Sequence, residues 1–211
     1  MLEIKSFCFG PFQTNTYVVS QSPMSNNQSP TNILLIDPAC SNEYEQQQLL
    51  RYIENQQSSI TNYQLQILAT HGHLDHLWGA SWATKQWNTP VLMHEDDIAM
   101  AQAMQQQYDL FGIRRKAEPF EVQPMPTPMP MRIIHTPGHT PGSICLYFPE
   151  DKVLFSGDTL FCMGYGRTDL PGGNYGQLIH SLDRLFALPS DVNVYPGHGD
   201  FTTIAAEKCL Y

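Results

Sequence analysis

Thr70-His71-Gly72-His73-Leu74-Asp75-His76 places three imidazoles and one carboxylate within the six residues 71–76, in the pattern H-x-H-x-D-H. Imidazole nitrogen and carboxylate oxygen are the donors that zinc and non-haem iron favour. Side chains so close in sequence converge on one point only where the backbone turns sharply. The apolar run over 65–69 ends directly before the motif, and a helical pattern follows from Leu77. The motif is therefore expected on a loop at a strand end, where α/β folds build their sites.

Three later segments share this grammar. HTPGHTPGS at 135–143 is a turn-rich loop between two apolar runs, VLFSGDT at 153–159 is a strand ending in Gly-Asp, and VNVYPGHG at 192–199 is a strand ending in Gly-His. Each time a ligand-type residue stands just past a β-like run, beside glycine, which lets the chain turn tightly or approach a neighbour closely. Strand ends that bring these residues to one rim would make a pocket for two metal ions.

This series, H-x-H-x-D-H, then G-H-T, then G-D, then G-H, resembles the signature of the metallo-β-lactamase-fold hydrolases, in their order and over nearly the whole chain. Within that superfamily the sequence is most similar to the glyoxalase II-like (hydroxyacylglutathione hydrolase-like) branch, through Gly157-Asp158-Thr159-Leu160-Phe161, GRTDLPGG at 166–173 and Tyr195-Pro196-Gly197-His198-Gly199. The resemblance implies that His71, His73 and His139 hold one metal, that Asp75, His76 and His198 hold a second, and that Asp158 bridges them. Asp75 and Asp158 are then the carboxylates of the catalytic set. The implied cofactors are two Zn²⁺ ions, with iron or a mixed Zn/Fe pair as alternatives. The implied activity is cleavage of thioesters or related acyl compounds by a metal-bound hydroxide. A different reaction on the same fold is the alternative: a persulfide dioxygenase with a single iron on His71, His139 and Asp158. Classical glyoxalase II carries an added helical domain that helps bind glutathione. Only about ten residues follow the Gly-His loop here, so a single domain over 1–211 and a weakened grip on glutathione are expected.

Arg167 is the candidate anchor for a substrate carboxylate, because its planar fork suits bidentate binding; a salt bridge to Asp169 is the competing use of that fork. Phe161 and Cys162, just past Asp158, are candidate substrate-lining residues. Asp37, at the end of the apolar run 33–36, is a candidate either to orient a ligating histidine from behind or to cap a turn. Of the remaining histidines, His94 and His180 are expected to be structural or surface residues, and His135 a strand residue facing away, with a place behind a metal ligand as its alternative.

Composition narrows the function. The chain has 11 Lys+Arg against 20 Asp+Glu, a formal net charge of −9, which disfavours nucleic acid as a partner. A small acyl or thioester compound is the expected partner, and the sequence leaves the oligomeric state open. No apolar run approaches the length of a membrane span, and the N-terminus lacks the basic-then-apolar pattern of a signal peptide. The five cysteines are an odd number, widely spaced and without C-x-x-C, as expected of a chain in a reducing cytoplasm.

Apolar periodicity predicts strands over 3–9, 14–19, 33–36, 65–69, 91–94, 131–135, 144–148, 152–155 and 192–195. It predicts helices over 43–55, 78–87, 96–107, 175–186 and 202–208. Hairpin-like spacing early and mixed spacing later fit two mixed sheets with helices outside, the four-layer αββα sandwich that the resemblance implies. Residues 21–31 are expected to form a long hairpin loop, and the proline-rich 122–130 to be non-helical and mobile. The apolar stretch 108–113 could either cover a pocket or pack over a sheet edge.

Overall fold

The computed structural model describes residues 2–21, 31–59 and 63–210, so most of the expected hairpin loop at 21–31 lies outside the described residues. The chain forms two compact units, each built from interleaved segments. One gathers Met1–Ala69, Leu74–Leu92 and Met104–Gln123; the other gathers Thr70–His73, Met93–Ala103 and Pro124–Tyr211.

The first unit is organised by a six-stranded sheet in the order β1 (Leu2–Phe9), β2 (Thr14–Gln21), β3 (Thr31–Ile36), β4 (Tyr63–Leu68), β5 (Val91–Met93), β6 (Val122–Pro124). β1 to β3 pair antiparallel, and β3, β4 and β5 run parallel. The parallel strands are the apolar ones. Ile33 to Ile36 and Ile67 to Leu68 are fully buried, as strands covered on both faces must be. β6 falls within the proline-rich segment and ends on Pro124 at the sheet edge, where a residue without an N–H is tolerated.

α1 (Glu43–Ser59) is started by Asn42, whose Oδ1 accepts from the Glu45 N–H at 3.1 Å. The Glu45 carboxylate in turn accepts from the Ser41 N–H at 2.6 Å and the Gly10 N–H at 3.1 Å, tying the cap to the β1–β2 turn. Leu49 and Ile53, four residues apart, form its buried stripe. α2 (Ala80–Trp87) buries the small residues Ala80 and Ala83. α4 (Met104–Leu110) buries Met104 and Tyr108 and exposes Leu110. Phe111, just beyond it, meets Phe12 edge-on at 5.9 Å.

The second unit carries a five-stranded sheet in the order β13 (Thr202–Thr203), β12 (Asn193–Pro196), β9 (Val153–Gly157), β8 (Ile144–Phe148), β7 (Arg132–His135). β12 and β9 are parallel and the other pairs antiparallel. α5 (Tyr175–Phe186) presents Leu178, Leu182 and Leu185 at i, i+4 and i+7 to a core shared with Ile134, Leu154 and Val194. Burying each of these leucines contributes about 1.5–3 kcal/mol. Asn174 caps α5 by accepting from the Gln177 N–H at 3.0 Å. α3 (Glu95–Gln102) and α6 (Ile204–Lys208) complete this unit.

Several elements differ from expectation, among them the strands β6, within the segment expected to be mobile, and β13, within the helix expected over 202–208. The single helix expected over 96–107 is two, with Ala103 ending α3 by donating to both Ala99 O and Met100 O at 3.1 Å. The buried positions Asp97, Ala101, Met104 and Tyr108 keep helical spacing through that break, so the apolar pattern carries no sign of it. His94, expected to end β5, is instead the N-cap of α3, accepting from the Asp96 N–H at 3.3 Å. The hairpin β10 (Leu160–Phe161) with β11 (Gly164–Tyr165) was not expected, because two-residue strands show no alternation. Among the described residues no helix is long and apolar enough to cross a membrane.

Candidate metal centre

In the second unit, four loops bring ligand-type side chains together. His71 and His73 come from the turn at Thr70–His73, His139 from the β7–β8 loop, Asp158 from the end of β9 and His198 from the end of β12. The rings of His71, His73 and His139 lie mutually edge-on, with centroids 4.5–4.9 Å apart and interplanar angles of 76–88°. One ring nitrogen from each can meet a single ion. His139 Nδ1 stands 2.7 Å from the Arg167 carbonyl, which can only accept, so Nδ1 carries the proton and Nε2 presents its lone pair inward. His139 Nε2 is 2.8 Å from His73 Nδ1 and 3.5 Å from Asp158 Oδ2. Asp158 Oδ2 is also 3.4 Å from His198 Nε2. Thr70 Oγ1 lies 3.1 Å from His71 Nδ1, so Nε2 is the nitrogen that would ligate. Three buried imidazoles at mutually perpendicular angles, with a carboxylate beside them, fit a borderline divalent ion such as zinc or ferrous iron.

In the first unit, Asp75 and His76 follow the same motif, and His76 Nε2 lies 3.4 Å from Asp75 Oδ2. Asp37 Oδ2 stands 2.9 Å from His76 Nδ1 with both side chains buried. That contact fixes the proton on Nδ1 and leaves the buried Nε2 as the nitrogen that could ligate. Asp37 is itself held tightly. Its N–H donates to Leu68 O at 2.9 Å, its carbonyl accepts from Thr16 Oγ1 at 2.6 Å, and its φ is +52°. A non-glycine residue in that left-handed region persists only where its surroundings over-determine it. Thr14 Oγ1 donates to Asp75 Oδ2 at 2.8 Å.

Two positions central to the geometry are not among the candidate site residues above, although Gly166 opens the GRTDLPGG stretch. Asp97, fully buried on α3, accepts from the Gly72 N–H at 2.8 Å and Thr140 Oγ1 at 2.6 Å through Oδ2, and from the Gly142 N–H at 2.6 Å through Oδ1. One carboxylate thus fastens the His71–His73 turn to the His139 loop. Gly166 passes so close to the centre that a Cβ there would stand 1.9 Å from Asp158 O and 3.0 Å from His139 Nδ1, so only glycine fits.

The expected substrate-side residues divide. Phe161 lies edge-on to His198 at 6.1 Å. Cys162 is exposed at the tip of the β10–β11 hairpin. The Arg167 guanidinium is engaged by Asp169 in a two-bond fork, at 2.6 and 2.7 Å, and holds that carboxyl down at about 2. It is the backbone of Arg167 that reaches the centre. Of the other cysteines, Cys8 and Cys209 are exposed, whereas burial pushes the Cys40 thiol up to about 12 and Cys145 up to about 11. A thiol-disulfide reagent at pH 8 is therefore expected to modify three of the five thiols in the native protein and all five in denaturant. Labelling of Cys40 or Cys145 in the native protein would contradict the packing described.

The sequence model of the metallo-β-lactamase superfamily matches residues 9–198, and the chain belongs to that superfamily. Its fold is that of the family: TTHA1623, solved in a di-iron-bound form, is 32% identical, with a TM-score of 0.79 over 97% of this chain and 96% of that one. ETHE1 from Myxococcus xanthus is 27% identical, with a TM-score of 0.66 over 98% of this chain and 81% of that one. The hydroxyacylglutathione hydrolase GloC of Haemophilus influenzae is 35% identical over 156 residues, which are 67% of this chain and 72% of that protein.

Proposed function

We propose that this protein is a metal-dependent hydrolase of the glyoxalase II-like type, acting on thioesters or related acyl compounds. The observation that carries the reading is the buried trio His71, His73 and His139, whose ring nitrogens lie close enough to meet one ion, with Asp158 beside it. Likeness to the Haemophilus hydroxyacylglutathione hydrolase supports the substrate class. Asp75 and His76 follow His73 directly in the chain, and with His198 they would hold a second ion, Asp158 serving both. Zinc, iron or a mixed pair would suit these donors, and the di-iron form of TTHA1623 keeps iron in view. When bound, such ions supply Lewis acidity and bring the pKa of water near 7.

The chain's own residues do the rest. Arg167 O and Asp37 hold the protons of His139 and His76 on the outward nitrogens, so neither ring has to change tautomer during turnover. Asp97 keeps the two histidine-bearing turns in register. Phe161 would give the acyl group an apolar wall beside His198. A thiolate leaving group departs as an anion and needs no proton donor, which suits a centre built from imidazoles and carboxylates.

A panel of thioesters tests this reading. S-D-lactoylglutathione and shorter acyl thioesters are expected to be cleaved by the metal-loaded protein, with a high KM for both and little change in kcat on shortening, because the glutathione part is weakly gripped. Failure to cleave any thioester would end the hydrolase reading. The second reading, an iron-dependent persulfide dioxygenase using His71, His139 and Asp158, rests on the likeness to ETHE1. Oxygen uptake with a persulfide substrate would favour it.

A further inference from the structure

We infer that His94, Asp96 and His135 form an additional binding site for a divalent transition-metal ion, separate from the centre above, which clamps the N-terminus of α3 to strand β7. One nitrogen from each imidazole and one carboxylate oxygen lie within 4.8 Å of one another. His94 Nδ1 and Asp96 Oδ2 are 3.6 Å apart, close to the edge of about 3.3 Å that zinc bonds of about 2.05 Å give a tetrahedron.

The tautomer of His135 is already set for coordination. Its Nε2 is 2.8 Å from the Pro141 carbonyl. A carbonyl only accepts, so Nε2 carries the proton and Nδ1 carries the lone pair. A ligating histidine commonly stands so, with its far N–H on a backbone carbonyl. Burial first, and then the neighbouring His135, lower the pKa of His94. The two rings stack at 4.1 Å and 11°. Two neutral imidazoles gain little from that arrangement beyond packing, and protonating both would set two cations face to face.

Binding requires the rings to splay from the stack. His94 is partly exposed, and χ2 of a histidine is a soft torsion, so the rotation is open to it. The ion would replace the long 3.3 Å bond between His94 Nδ1 and the Asp96 N–H. Three protein ligands leave the fourth position to water. Asp96 is followed directly by Asp97, whose carboxylate gathers Gly72, Thr140 and Gly142. An ion at the outer site therefore braces the helix end that organises the histidine loops, and makes their stability respond to free zinc.

The test is a zinc titration of protein whose main centre has first been filled, against a chromophoric chelator, for the wild type and for His94→Asn, Asp96→Asn and His135→Gln. Asparagine preserves the helix cap at 94, and Asp96 is exposed, so at least two variants are expected to keep the wild-type fold by circular dichroism. The wild type should take up one further equivalent of zinc, and each folded variant should bind that equivalent at least tenfold more weakly. The same zinc should raise the Tm of the wild type and not of the variants. The comparison is a difference between chains with the same main centre, so it does not depend on how many ions that centre holds or on what reaction it runs. No further equivalent in the wild type, or a weakening of less than tenfold in any folded variant, would overturn the proposal.

Discussion

His139→Ala should abolish turnover, lowering kcat/KM by at least about a thousandfold, and should lower the metal content of the purified protein. The magnitude follows from position. Losing a partner that stands behind a metal ligand costs about 10–100-fold in affinity or activity, and His139 is itself at the point of convergence. It lies 2.8 Å from His73, 3.5 Å from Asp158 and 2.7 Å from the Arg167 carbonyl. Alanine removes the nitrogen proposed to ligate and leaves that carbonyl without its donor. Asp158→Ala should do the same, since Asp158 approaches both His139 and His198. His180→Ala, on the exposed face of α5, is the control and should leave both quantities within about twofold of wild type. Steady-state kinetics and elemental analysis on the same preparations decide. Retention of full metal content and turnover by His139→Ala would remove the centre from the mechanism.

Asp97→Ala should be the most damaging substitution among residues that touch no substrate. The alanine removes the buried acceptor of the Gly72 N–H and the Gly142 N–H, and leaves the Thr140 hydroxyl only Ser143 Oγ, at 2.7 Å, to donate to. An unsatisfied buried polar group costs about 1–3 kcal/mol, so the total is on the order of 4 kcal/mol, a large part of the stability of an ordinary domain. Asp97→Asn keeps Oδ1 for Gly142 but turns an amide N–H₂ towards the Gly72 N–H, and should fall between wild type and alanine. Urea unfolding of the metal-free and metal-loaded proteins measures this. The loss should be larger in the loaded form, because the histidine loops must be in register to bind. An Asp97→Ala protein within about 1 kcal/mol of wild type would show that the loops are held by something else.

The contrast between these two residues shows what a sequence can disclose. His139 was legible because its chemistry is rare and its setting repeats: an apolar run, a glycine, then a ligand-type side chain. The same grammar exposed Asp158 and His198, and the first motif declared itself by density alone. Asp97 belongs to the run Glu95-Asp96-Asp97 at a helix start, where acids are ordinary partners of the helix dipole. Nothing in the run says which of the three is buried. Only the fold turns Asp97 inward and leaves Asp96 in solvent.

Distance along the chain hides other features. His94 and His135 come from elements far apart in sequence, and each alone reads as a strand or cap residue; their stacking exists only once α3 and β7 are built. Arg167 fails in the opposite direction. Its side chain invites a role at the substrate, yet Asp169, two residues on, takes the fork, and the functional contact comes from the backbone. Gly166 is decided by a steric limit of the folded state, the approach of Asp158 O and the His139 ring. β3, β4 and β5 were readable because their buried residues, Ile33 to Ile36, Ile67 to Leu68 and Val91 to Met93, are apolar, while β10 and β11 were too short to carry any period.

A two-metal hydrolytic centre is the proposal that remains to be tested. The direct measurement is a titration of the metal-free protein with Zn²⁺, and separately with Fe²⁺, following bound metal, hydrolysis of S-D-lactoylglutathione and oxygen uptake with a persulfide in the same samples. Hydrolysis should rise with bound metal and reach its plateau as a second ion fills the main centre, with no oxygen consumed. No thioester hydrolysis at any loading, or oxygen uptake that saturates at one iron per chain, would contradict it.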